Sequence, residues 1–168
     1  MLVYFLILLG AVLRAVPHPA NFAPIGAMAL FGGAYLNKKF ALVLPLAAMV
    51  ISDLFIGFDS WAGRLTVYGS FFLMGLIGLW VRNHKNIGTI IGGSILGSIL
   101  FYIITNLVFL YDPTMYPHTL EGQMSSYINA LPFFRNTLLG DLFYTAVFFG
   151  SHEWVRAWQS RRAHAKSY

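Results

Sequence analysis

The run LPFFRNTLLGDLFYT, Leu131 to Thr145, places Arg135, Asn136 and Asp141 in otherwise oily surroundings. Asp141 is four residues from both Thr137 and Thr145, so helical spacing sets one carboxyl group and two hydroxyls on a common face. Arg135 lies six residues earlier, on a different face, which argues against a pair with Asp141 inside one regular helix. Arg14 and Asp53 are likewise isolated charges in apolar segments, and Arg14 with Asp53 or with Asp141 is the economical pairing. A charge in a bilayer interior costs about 2.5–3.5 kcal/mol on insertion scales. Such groups are therefore expected to face one another or a shared wet cavity, where they would bind a small polar ligand without covalent chemistry.

Other polar groups extend this pattern. Ser94, Ser98, Tyr102, Thr105 and Asn106 fall on one helical stripe, and a polar stripe in a spanning helix should face the bundle interior. Gly88, Gly92, Gly93 and Gly97 form two overlapping Gly-x-x-x-Gly patterns on the same segment, a spacing that allows close backbone approach. Tyr68 and Tyr102 offer aromatic walls with hydroxyl tips. His18 and His118 are too few, without a His-x-x-x-His, to suggest a metal site, and no cysteine is present, so no cofactor is expected. There is no Gly-x-Ser-x-Gly, His-Glu-x-x-His or phosphate-cradling glycine loop. Ser52-Asp53 and Ser151-His152-Glu153 hold catalytic residue types but belong to opposite ends of the expected bundle, so an enzyme is not expected.

The elements that must position these groups follow from composition. Of 168 residues, 58% are hydrophobic and 10% charged, against about 25% charged in ordinary soluble domains. This is the composition of an integral membrane protein. With about 20 residues per span, the length accommodates at most about six spans, read as one transmembrane domain over residues 1–168. The apolar segments run from Met1 to Val16, Ile25 to Leu36, Phe40 to about Phe58, Leu65 to Val81, Ile87 to about Tyr111, and about Thr137 to Trp158. The prolines of PHPANFAP end the first. The second is too short to span upright from Ile25, so it either begins within PHPANFAP or is a broken, re-entrant element. The stretch between the last two segments is half apolar and suits a membrane surface. Arg14 and the missing basic leader argue against a cleaved signal peptide.

Eight of the eleven basic residues, Lys38, Lys39, Arg82, Lys85, Arg156, Arg161, Arg162 and Lys166, fall on one side of this arrangement. The positive-inside rule makes that side, and both termini, cytoplasmic. Topology thereby accounts for the net charge of +5, and nucleic acid is not expected as a partner. Arg14, Asp53, Asp59, Arg64, Asp112, Glu121, Arg135 and Asp141 fall toward the outer side, with His18, Asn21, Tyr68, Asn106, Tyr111, His118 and Asn136. The expectation is a polar cup open to the outside.

The blocks PHPANFAPIGAMALFGGAYL, SDLFIGF, VYGSF, FYIITNL and ALPFFRNTLLGDLFYT resemble the signature of a family of small bacterial membrane proteins known only as a domain of unknown function. The resemblance covers nearly the whole chain. That family is in turn similar to the S components of energy-coupling factor (ECF) importers, six-helix proteins that capture vitamins or metal ions near the outer surface. The resemblance implies an all-α, six-segment bundle in the bacterial inner membrane, with lipid around it and a small polar nutrient as ligand. Coupling transmembrane and ATPase subunits would be separate partners, because the chain has no nucleotide-binding motif. AVLRA, Ala11 to Ala15, is an Ala-x-x-x-Ala of the kind S components use to dock their partner, here toward the outer end and containing Arg14. Arg14, Asp53, Tyr68, Tyr102, Asn106, Arg135, Asn136 and Asp141 are expected to line or brace the site. The alternative is a non-transport scaffold or assembly protein in which the same groups close into a buried network.

Overall fold

The computed structural model describes residues 1–57, 60–108, 112 and 114–165. Phe58, Asp59, Tyr111 and Lys166 lie outside the described residues. Helix α1 spans Leu2–Ala15, α2 Ile25–Tyr35, α3 Lys38–Ala41, α4 Val43–Ile56, α5 Trp61–Asn83, α6 Ile87–Thr105 and α7 Leu120–Ala165, with no strand among the described residues. Local chemistry sets these limits. Pro17 follows the end of α1, the Ser60 side chain caps α5 through the Gly63 N–H, and Asn86 and Thr89 form a reciprocal capping box on α6. Gly57 ends α4 at a φ of 104°, a conformation that suits glycine.

The segments are thus where the hydropathy puts them, with three differences, one being that the fifth ends as a helix at Thr105, short of Tyr111. The third breaks at Leu42 into the single turn α3 and the helix α4. The sixth is not separate from the half-apolar stretch before it, because the two form one 46-residue helix that runs through Pro132. The helix continues there although Pro132 donates no backbone hydrogen bond. Two helices, α5 and α6, are long and apolar enough to cross a membrane.

Helix α2 sits at the centre. It begins at Ile25, so PHPANFAP is a non-helical approach to it, and every residue from Ile25 to Ala34 is buried. A helix that is apolar all round belongs in a core, and its glycines and alanines let neighbours close in on all sides. The tightest approach is to α5. A Cβ added to Gly33 would lie 2.8 Å from the Gly78 Cα, and one added to Gly78 would lie 2.9 Å from the Gly33 Cα and strike the Leu30 carbonyl. Only one of the two Gly-x-x-x-Gly pairs on α6 does comparable work. Gly93 packs on Val81 and Ile77, and Gly97 on Met74, whereas Gly92 faces open space.

Helix ends gather at two poles. The Arg82 guanidinium, from the last turn of α5, donates to the Ala34 carbonyl at 3.3 Å and to the Leu36 carbonyl, at the C-terminus of α2. Lys85 lies 3.9 Å from the centre of the Tyr35 ring, and the Tyr35 hydroxyl donates to Glu153 of α7 at 2.5 Å. Lys38, Lys39, Arg82, Lys85 and Arg156 therefore share one pole. The C-termini of α1, α4 and α6 meet the N-termini of α2 and α5 at the other.

The Gly33–Gly78 contact is backbone against backbone, so no side chain can move aside for a methyl group. Gly33→Ala is expected to destabilise the protein by about 1–3 kcal/mol, and Gly92→Ala to be neutral or up to about 1 kcal/mol stabilising through helix propensity. Thermal unfolding of the two purified variants checks this, and equal shifts would contradict it.

Candidate functional site

The pole opposite the basic one is organised around Asp53. On α4 the buried stripe runs through Pro45, Met49, Ser52 and Asp53, so the carboxyl group points inward and is fully buried. Arg14 Nη2, from the last turn of α1, lies 2.5 Å from Asp53 Oδ1, and Arg64 Nη1, from the first turn of α5, lies 2.5 Å from Oδ2. The Tyr68 hydroxyl, one turn beyond Arg64 on the same face, donates to Oδ2 at 2.6 Å. Arg14 also donates to the Met49 carbonyl at 3.1 Å and to the Ser52 hydroxyl, and Arg64 donates to the Gly57 carbonyl. Asp53 thus ties three helices together. Of the two pairings open to Arg14, the structure has the one with Asp53. Arg64 was not expected in it, although its spacing of four from Tyr68 was the available signal.

Asp141 does different work on the same side. Thr137, Asp141 and Thr145 are all buried on one stripe of α7, which faces the polar stripe of α6. The Ser98 hydroxyl donates to Asp141 Oδ2 at 2.7 Å, and the Thr145 hydroxyl donates to Ser94 Oγ at 3.3 Å. The Ala27 backbone N–H also donates to the Asp141 carboxyl group. Ala27 is in the first turn of α2, whose N-cap, Pro24, has no side-chain donor or acceptor to offer. Asp141 therefore supplies from α7 the cap that α2 lacks. Gly26 is what lets it approach, since any Cβ there would overlap the Asp141 carboxyl group.

Between these two carboxyl groups lies a cavity of about 520 Å³. Asp141, Thr137, Ile25 and Gly26 contribute to its lining, and Val67, Phe71, Phe101 and Val108 give it apolar surface. Phe71 and Phe101 pack on each other with ring centres 5.0 Å apart. Arg14, Arg64, His18, Asn21 and Asp112 add polar groups. Two hydrogen bonds from Thr114, from its hydroxyl at 2.6 Å and its N–H at 3.1 Å, hold the Asp112 carboxyl group below the usual carboxylate range. This size is within the range of about 300–1,000 Å³ typical of small-molecule sites.

The remaining expected residues divide. Tyr102 and Asn106 line a second cavity of about 110 Å³ that shares Asn21, Phe101 and Thr137 with the first. They also fasten α6 to α7: the Tyr102 hydroxyl donates to the Tyr127 carbonyl at 2.7 Å, and the Asn106 carbonyl accepts from Gln123 and Ser126. Asn136 donates to the Ala20 carbonyl at 3.0 Å, which pins the PHPANFAP stretch to α7. Asp53 and Tyr68 stand behind the main cavity, and their link to it is through Arg14 and Arg64. Arg135 lines neither cavity. It is exposed together with Leu131 and Leu139, one turn to either side, because position 135 falls on the outward stripe of α7.

Asp53→Asn leaves two guanidinium groups beside a neutral amide and is expected to cost about 3–5 kcal/mol of stability. Tyr68→Phe removes one hydrogen bond and should cost about 1 kcal/mol. Unfolding measurements that rank the two variants the other way would show that the ion pairs do not dominate the clasp.

No curated protein and no solved structure matches the chain. The family model that does match covers residues 1–164, and the chain therefore belongs to DUF6580, a family of unknown function.

Proposed function

We propose that this chain is a six-segment bundle of the inner membrane that captures a small polar nutrient in the larger cavity and passes it inward by conformational change. In this reading it works as an S component of an ECF importer does, with separate coupling and ATPase subunits. The observation that carries the reading is the cavity itself, about 520 Å³ beside a buried ion-paired clasp at the pole opposite the basic one. A scaffold protein with a closed polar network has use for the clasp but none for the space.

Several features support the bilayer setting. Only 28% and 22% of the apolar windows of α5 and α6 are buried, whereas the core helix of a soluble protein would be mostly covered. Large apolar side chains are also exposed on the other outer helices, among them Phe5 and Leu8 on α1, Leu54 and Phe55 on α4, and Phe143 and Val147 on α7. Soluble monomers rarely expose contiguous apolar patches beyond a few hundred Å². Trp61 and Trp80, both exposed, are separated by about 28 Å of helix rise. That is close to the roughly 30 Å of a hydrocarbon core with aromatic residues at its two interfaces. The basic pole is then cytoplasmic and the cavity opens outward.

The chain has no cysteine, so single introduced thiols report topology cleanly. In intact cells a membrane-impermeant maleimide is expected to label Ser60→Cys and to leave Lys39→Cys unlabelled until the membrane is opened, and the reverse pattern would invert the proposed topology. Native mass spectrometry of the purified protein is expected to show a bound small molecule that is lost in Val67→Trp, whose indole occupies the cavity, and kept in Leu139→Trp on the exposed face. An adduct that persists in Val67→Trp would place the ligand elsewhere.

A further inference from the structure

We infer that the ligand of the larger cavity is an organic cation, with a protonated or quaternary nitrogen on a compact apolar body. This rests on the reading of the cavity as a ligand site. It follows from how the charges around that space are already partnered.

The positive charges have an anionic partner. Arg14 and Arg64 reach the cavity wall, but their guanidinium groups close on Asp53 at 2.5 Å each and on the carbonyls of Met49 and Gly57. The carboxyl groups of the lining have neutral donors only. Asp141 is held by the Ser98 hydroxyl and the Ala27 N–H, and Asp112 by Thr114; among the described residues neither has a basic side chain within ion-pair distance. In the lining Asp112 and Asp141 stand against Arg14 and Arg64, whose charges Asp53 offsets from behind, while the ring nitrogens of His18, the other basic side chain of the lining, face the Pro19 and Arg14 carbonyls at 3.0 and 3.3 Å.

A carboxylate accepts about four hydrogen bonds, so two donors leave Asp141 with acceptor capacity, and an unpaired charge in a poorly solvated site is costly. A cation entering the cavity answers that cost. The described residues contain no group of three or more side chains able to hold a metal ion, while the Phe71–Phe101 pair offers ring surface suited to an apolar body and to cation–π contact. The chemistry therefore favours an organic ammonium over a bare metal ion.

A single thiol at Val67→Cys, on the apolar wall, reads which charge the cavity accepts. Three methanethiosulfonate reagents of similar size serve as probes, one bearing a trimethylammonium group, one a sulfonate and one neutral, each rate being taken relative to its rate with free cysteine. The cationic probe is expected to be favoured over the anionic one by about tenfold. Asp141→Asn and Asp112→Asn should each reduce that preference while the neutral probe keeps its rate, a control for folding and access. Because Asp112 is not buried in the core, its variant carries the comparison if Asp141→Asn fails to fold. Equal rates for the two charged probes, or preference for the sulfonate, would overturn the assignment of a cation and leave the cavity reading standing. A thiol that the neutral probe cannot reach would overturn the cavity reading, and this inference with it.

Discussion

A short helix buried on every side is the constraint on which this bundle depends. The N–H groups of its first turn and the carbonyls of its last have no intrahelical partners and no water, so α2 can occupy the centre only if other helices answer both ends. Asp141 of α7 does so at the N-terminus, through the Ala27 N–H. Arg82 of α5 does so at the C-terminus, through the carbonyls of Ala34 and Leu36. Each partner also carries the charge sign that the helix dipole favours at that end. The same requirement explains the glycines: Gly26 admits the Asp141 carboxyl group, and Gly33 and Gly78 bring two backbones close enough to exclude solvent from α2.

The length of α2 also accounts for the cavity. Eleven residues rise about 16 Å, roughly half the thickness of a hydrocarbon core. Longer neighbours flank it, and α2 is joined to α1 by a non-helical stretch that three prolines keep from coiling. Space is left over the N-terminus of α2, where that stretch and the ends of α1, α4, α5 and α6 meet. Backbone and side-chain polar groups accumulate there because these are helix ends, and Asp53 holds the ends together. The polar cup and the short central helix are thus two consequences of one sequence feature, PHPANFAP followed by IGAMALFGGAY.

Much of this was legible before any coordinates. The apolar segments, the common face of Thr137, Asp141 and Thr145 and the inward polar stripe of α6 follow from periodicity, and the cost of isolated charges narrows the partner of Arg14 to Asp53 or Asp141. What was not legible depends on partners that periodicity does not name. The packing of Gly78 is set by α2 and that of Gly75 by Leu42, and Gly92 and Gly93, adjacent in sequence, differ in role only because Gly93 faces α5 and Gly92 faces out. The apolar run begins at Leu65 and puts Arg64 at the outer end of a segment, whereas Ser60 starts the helix one turn earlier and carries Arg64 within it. Inferred depth puts Arg135 among the residues expected to line or brace the site, but depth does not fix the side of a helix. Hydropathy starts the sixth segment only at about Thr137, after the polar Arg135 and Asn136, whereas the helix runs through both and through Pro132.

The contrast between the two halves of the bundle separates the candidate roles of its buried carboxyl groups. Around Leu30, Gly33 and Gly78 the packing is atom against atom, as expected of an interior with few voids larger than a water molecule. A few turns away, the same helices leave about 520 Å³ open beside Phe71 and Phe101. That space is lined by polar as well as apolar groups, so close packing of helices alone does not account for it. Asp53 is already ion-paired with two arginines, accepts from a tyrosine and stands behind the opening. Asp141 is bound only by neutral donors and lines the opening. The clasp accounts for how the helix ends are held, and the cavity beside Asp141 is space that this clasp does not use.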